Sequence, residues 1–113
     1  MTRDEFRQIA LSLPATSEGA HMKHPDFRVR GKIFATLGFP DTDWGVAMLT
    51  PKQQKEFVQA EPAVFEPFPG GWGRKGATRV NLEPANEEIV RRALITAWRR
   101  VAPKHLGEQL EGS

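Results

Sequence analysis

Apolar residues recur along this chain at two spacings, and each change of spacing marks a new element. Phe6, Ile9, Ala10 and Leu13 keep the interval of one helical face behind a Thr2-x-x-Glu5 capping box, and Pro14 ends the run. This predicts a helix over residues 3–13. Residues 15–22 read as a short extended strand with little β-branched support. Residues 27–30 and 33–39 form the arms of a hairpin around Gly31. Over residues 44–49, after a Pro-Asp-Thr-Asp turn, Trp44, Val46 and Met48 alternate with Gly45, Ala47 and Leu49. Thr50, Pro51 and Gln53 open a second helix with Phe57 and Val58 as its apolar contacts, and Pro62 closes it. The proline-spaced residues 61–69 are expected to hold no regular element. Residues 77–82 make the last strand, with Val80 and Leu82 on one face and Arg79 and Asn81 on the other.

Asn86 caps a long final helix, whose positive end suits Glu87 and Glu88. Ile89, Ala93, Leu94, Ala97, Trp98 and Val101 form its apolar stripe; Arg91, Arg92, Arg99 and Arg100 fall largely outside it. Pro103 ends the helix, and residues 107–113 are expected to fray. The order is α, three or four β, α, β, α, with strands joined by hairpins. It predicts an α+β two-layer domain over residues 1–106, an antiparallel sheet with helices mainly on one face.

The hairpin admits two closures. A two-residue Gly31-Lys32 turn pairs Val29 with Phe34 and puts Phe27, Val29 and Phe34 on one face. A three-residue turn over Arg30, Gly31 and Lys32 pairs Val29 with Ile33, turning Phe27, Val29, Ile33, Ala35 and Leu37 inward together. Arg28, Arg30, Phe34 and Thr36 then face out. The choice matters because a one-residue slip moves every side chain to the other face. The second closure makes the more coherent core and is the one expected.

Composition narrows the chemistry. The chain has 113 residues, no cysteine and no apolar run near the roughly 20 residues of a membrane span. Disulfides, thiol catalysis and Cys-ligated zinc are thereby excluded, and the cytoplasm is the expected location. Net charge is only +2, so the distribution carries more than the total. Residues 21–32 hold Lys23, Arg28, Arg30 and Lys32 against Asp26, and residues 72–82 hold Arg74, Lys75 and Arg79 without an acid.

His21 and His24 stand three apart, but Pro25 bars the helix on which that spacing serves a metal, so no metal is expected there. Asp26 is expected to anchor a turn with them by hydrogen bonds. The segment PGGWGRKG, residues 69–76, lacks the spacing of a phosphate loop. It reads either as a finger projecting Trp72, Arg74 and Lys75, or as a lid with Trp72 tucked back on the sheet. Neither a nucleophile–base pair nor a pair of carboxylates in an apolar segment is evident, so no enzyme, cofactor or small-molecule substrate is predicted.

The run HMKHPDFRVRGKIFATLGF, residues 21–39, together with PGGWGRKG and the order of elements, resembles the MmcQ/YjbR family over nearly the whole chain. The resemblance implies an α+β architecture related in outline to secretion-chaperone folds, and the label the family carries is DNA-binding. It supplies no site residues. From charge and aromatics, Lys23, Arg28, Arg30, Lys32, Arg74, Lys75 and Arg79 are the expected phosphate contacts, with Phe34 or Trp72 stacking on bases. Binding of this kind is non-specific and salt-dependent. The rival reading is a protein-interaction or chaperone-like module, or a homodimer, using the open sheet face or the last helix. An exposed apolar patch around Phe34, Phe39, Trp44 and Met48 would mark the rival, and a basic strip over Arg28, Arg30, Arg79 and Lys75 would mark DNA.

Overall fold

Thr2 and Glu5 close the capping box that starts helix α1 (Arg3–Ser12), each side chain accepting from the other's backbone N–H at 3.1 Å. The computed structural model describes residues 1–21, 23–38 and 43–111, with the side chains of His21 and Glu111 outside the description. After α1 come strands β1 (Thr16–His21), β2 (His24–Val29), β3 (Lys32–Leu37) and β4 (Trp44–Met48). Helix α2 (Pro51–Ala60), strand β5 (Phe65–Pro67), the helical turn α3 (Gly71–Arg74) and strand β6 (Ala77–Asn81) follow, then helices α4 (Glu87–Val101) and α5 (Lys104–Glu111). The strands make one six-stranded sheet in the order β1-β2-β3-β4-β6-β5, with every pairing antiparallel. The α+β two-layer expectation holds.

One face of the sheet meets the helices. Phe27, Val29, Leu37 and Val80 join Phe6 and Ile9 of α1 and Val90, Leu94 and Trp98 of α4 in a single buried cluster. Gly45 lies where a Cβ would come within 2.9 Å of the Phe6 ring, so the missing side chain admits α1 against β4. The Trp98 indole N–H donates to the Pro14 carbonyl at 3.0 Å and ties α4 to the α1–β1 turn. Phe57 of α2 meets Phe65 of β5 edge-on, with ring centroids 5.2 Å apart.

The hairpin takes neither expected closure. Val29 pairs with Lys32 across a two-residue turn whose residues, Arg30 and Gly31, both have positive φ (52° and 80°), the type I′ geometry that matches strand twist. The register then shifts: Arg28 opposes Ile33, but Phe27 opposes Ala35. The extra residue is Phe34, and this bulge lets Phe34 enter the core beside Ala35 instead of facing out. Phe34 is 0% exposed, so it offers no stacking platform.

Two other expectations are corrected. Residues 61–69 do contain a strand: β5 runs along the sheet edge, where Pro67 has no outer partner to fail, while Phe65 supplies core burial. The tail expected to fray from Gly107 continues as α5, whose Leu106 and Leu110 lie four apart and rest against the core. Phe39 and the turn before Asp43 fall outside the described residues.

Candidate nucleic-acid interface

Strand register decides which cations share a surface. Lys32 begins β3 beside the Arg30–Gly31 turn; Ala35 opposes Ala47 of β4, and Met48 opposes Ala77 of β6. One end of the sheet therefore gathers the β2–β3 turn, the start of α2 and the α3–β6 junction. Arg100, in the last turn of α4, reaches the same end and donates to the Met48 carbonyl at 2.7 Å. Arg30, Lys32, Lys52, Arg74, Lys75 and Arg100 are all exposed there. Residues 30–32, 49–52, 68–76 and 98–104 at this end contain no Asp or Glu, and the acid beside them is Glu108 of α5, which lines a cleft with Arg99 and Lys104.

The opposite end is richer in acids, although Arg3, Lys23 and the N-terminal ammonium also lie there. Asp4 and Glu5 open α1, Glu87 and Glu88 open α4, Glu61 caps α2, and Asp43 and Glu83 flank the ends of β4 and β6. Glu87 and Glu88 bond Arg91 and Arg92 one turn later, at 3.0 and 2.9 Å. The molecule extends 32 × 29 × 27 Å. Charges at its two ends thus lie several screening lengths apart, the Debye length being about 8 Å at physiological salt. A polyanion at the basic end meets a local positive field that the net charge of +2 does not describe.

The seven predicted cations therefore do not form one surface. Arg30, Lys32, Arg74 and Lys75 share the basic end, whereas Lys23 stands in the β1–β2 turn at the other. Arg28 and Arg79 lie on the sheet face away from the core, and each is committed to an acid. Arg28 holds Asp26 with two bonds, Nε to Oδ1 at 2.6 Å and a terminal nitrogen to Oδ2 at 3.0 Å. Its guanidinium pKa is raised by that hydrogen bond, then by the charge of the same carboxylate. Asp26 is 0% exposed, and Arg28 is the partner that neutralises it. An acid two residues before an arginine in a strand was a legible signal for this pair. Arg79 bridges to Glu66 across the β5–β6 ladder and sits over the Trp44 ring, 5.1 Å from its centroid. Trp44 is thereby partly covered and Phe34 lies in the core, so Phe34 adds nothing to an apolar patch on this face; Phe39 lies outside the described residues.

The glycine-rich segment is a pinned turn, closer to the lid than to the finger. Trp72 is half-buried and meets Phe68 edge-on at 4.6 Å between centroids. A Cβ on Gly73 would lie 1.6 Å from the Phe68 carbonyl oxygen, and one on Gly76 1.9 Å from that of Leu49, so only glycine permits these approaches. The Gln54 amide of α2 donates to the carbonyls of Gly73 and Ala77 at 2.9 and 2.8 Å. Arg74 and Lys75 project from this fixed turn. Lys52 and Arg100 escaped sequence reasoning because each reads alone as an ordinary helix-end charge. The β4–β6 register brings the start of α2, with Lys52, to the glycine-rich turn, and the bond to the Met48 carbonyl brings Arg100 to the same end. Among the described residues no group of three metal-ligating side chains occurs.

The fold is similar to that of a solved structure, protein DR2400 of Deinococcus radiodurans, described with a DUF419 family-model domain. The TM-score is 0.72 at 18% identity, with 97% of this chain and 88% of that chain covered. No curated protein matches. The sequence itself carries the stronger relationship, since the YjbR family model matches residues 11–100, from the end of α1 to the last turn of α4. The chain belongs to the YjbR family.

Proposed function

We propose that this YjbR-family protein is a non-enzymatic, cytoplasmic DNA-binding protein that grips phosphates with the basic end of its sheet. The observation that carries the reading is the convergence of Arg30, Lys32, Lys52, Arg74, Lys75 and Arg100 on one end whose turns contain no acid. Phosphate contacts of this kind hold the backbone and read no base. Phe34 is buried and Trp72 is engaged with Phe68, so aromatic stacking adds little and a single strand gains no advantage over a duplex.

The test is a fluorescence-anisotropy titration of duplex and single-stranded oligonucleotides over a range of salt. Affinity falls with a log-log slope of about −0.9 per neutralised phosphate. Changing Arg74 and Lys75 together to Ala shallows that slope by about two units, whereas Lys23→Ala, at the far end, leaves it unchanged. Absence of binding at low salt, or equal sensitivity to Lys23→Ala, defeats the proposal.

A further inference from the structure

The two edges of the sheet are built differently. The β5 edge is three residues long, contains Pro67 and is bracketed by Pro62 and Pro69, devices that stop another strand from adding. The β1 edge is six residues long, TSEGAH, with no proline, lysine or arginine. Its lone charge, Glu18, is paired with Arg7 of α1 in an exposed ion pair. Ser17, Glu18 and Ala20 are exposed, and among the described residues only β2 pairs with β1. Such an edge is a template for one more strand.

We infer that β1 pairs antiparallel with β1 of a second copy, about a twofold axis through Gly19, to give one continuous sheet. Strand addition by a foreign peptide draws its specificity from side-chain pockets, and Ser17, Gly19 and Ala20 are too small to frame any. Self-pairing draws specificity from symmetry instead. Directly opposed residues must share a face, so the axis passes through a residue and not between two. An axis through Glu18 would set two carboxylates against each other. One residue on, Gly19 opposes its own copy and Glu18 opposes the partner's Ala20, which removes the clash. The antiparallel direction also sends the two basic ends opposite ways, whereas parallel pairing would set them side by side.

Sedimentation velocity on the full chain, without nucleic acid, tests this through Ala20. The unaltered chain shows a reversible monomer–dimer equilibrium. Ala20→Glu places a carboxylate against the partner's Glu18 twice per dimer, and Ala20→Lys places an ammonium there. The first weakens the dimer and the second tightens it, each by roughly 2- to 30-fold. Circular dichroism of the exposed-site variants stays unchanged. A chain that remains monomeric to about 1 mM, or a dimer that responds alike to both substitutions, overturns the inference.

Discussion

Removing the Phe34 ring tests its place in the core, where the bulge sets it beside Ala35. In either regular register of the hairpin arms beyond the turn, Phe34 would alternate with Ala35 across the sheet. In the structure both are 0% exposed, and the ring lies in the cluster that joins the sheet to the helices. Phe34→Ala therefore loses a fully buried aromatic and leaves a cavity, at a cost of about 3–5 kcal/mol. Against a total stability of roughly 5–15 kcal/mol for a domain, that is a large fraction. With a urea slope of about 1–3 kcal/mol/M, the midpoint falls by roughly 2 M while the slope itself stays constant. Ile33→Ala is the internal control, since Ile33 is only half-buried and opposes Arg28 on the other face. Should Phe34→Ala prove too unstable to measure, Phe34→Leu keeps part of the volume and costs less, on the order of 1 kcal/mol. A midpoint loss for Phe34→Ala no greater than for Ile33→Ala would put the ring on the surface and remove the bulge.

Trp98→Phe cuts the bond to the Pro14 carbonyl and part of a buried ring, and thermal unfolding should register a loss of about 1–3 kcal/mol. Gly73→Ala drives a Cβ into the Phe68 carbonyl, which is backbone and cannot yield as a side chain does. The expected cost exceeds the about 1–3 kcal/mol usual for overpacking, with faster amide exchange confined first to α3. The Glu5 carboxyl is held below its ordinary pKa by the Thr2 backbone N–H and then by the Thr2 side chain. A lowered folded value means that its stabilisation is present above the ordinary glutamate range and fades as pH falls through the lowered one. Glu5→Gln keeps the capping box without titrating, so the acid-dependent rise in α1 amide exchange should flatten.

Local chemistry was readable from the sequence, and tertiary context was not. Both capping boxes, at Thr2–Glu5 and Thr50–Gln53, and the Asn86 cap sit where their spacing put them, because each involves only one turn of chain. The same holds for the buried stripe from Ala93 to Trp98, to which Val90 must be added. The strand around Pro67 was hidden because proline forbids a ladder only on the side that must be paired, and sequence does not announce an edge. The position of Phe34 was hidden because a bulge is settled by the whole sheet, whichever register the periodicity favours. Four of the seven predicted cations share the basic end, Arg30, Lys32, Arg74 and Lys75. Arg79 was lost to Glu66, thirteen residues away in the chain but adjacent in the β5–β6 ladder.

At the basic end a single side-chain amide, that of Gln54, is added to the backbone bonds that hold the glycine-rich turn. Its two donors are both spent, on Gly73 and Ala77, the residues that bracket Arg74 and Lys75. Glutamate has the same shape, yet as a carboxylate it has no donor and would face two carbonyl oxygens. Gln54→Glu is thus a near-isosteric exchange that turns two attractions into two repulsions. Protonation would restore only one O–H for the two acceptors. A glutamate at this position would make this side-chain restraint on the cationic turn depend on acidity, lost at neutral pH and partly restored in acid, while the backbone bonds from Phe68 to Ala77 and from Leu49 to Gly76 stay in place. A deamidated molecule would carry the same defect while differing by a single atom in its covalent skeleton.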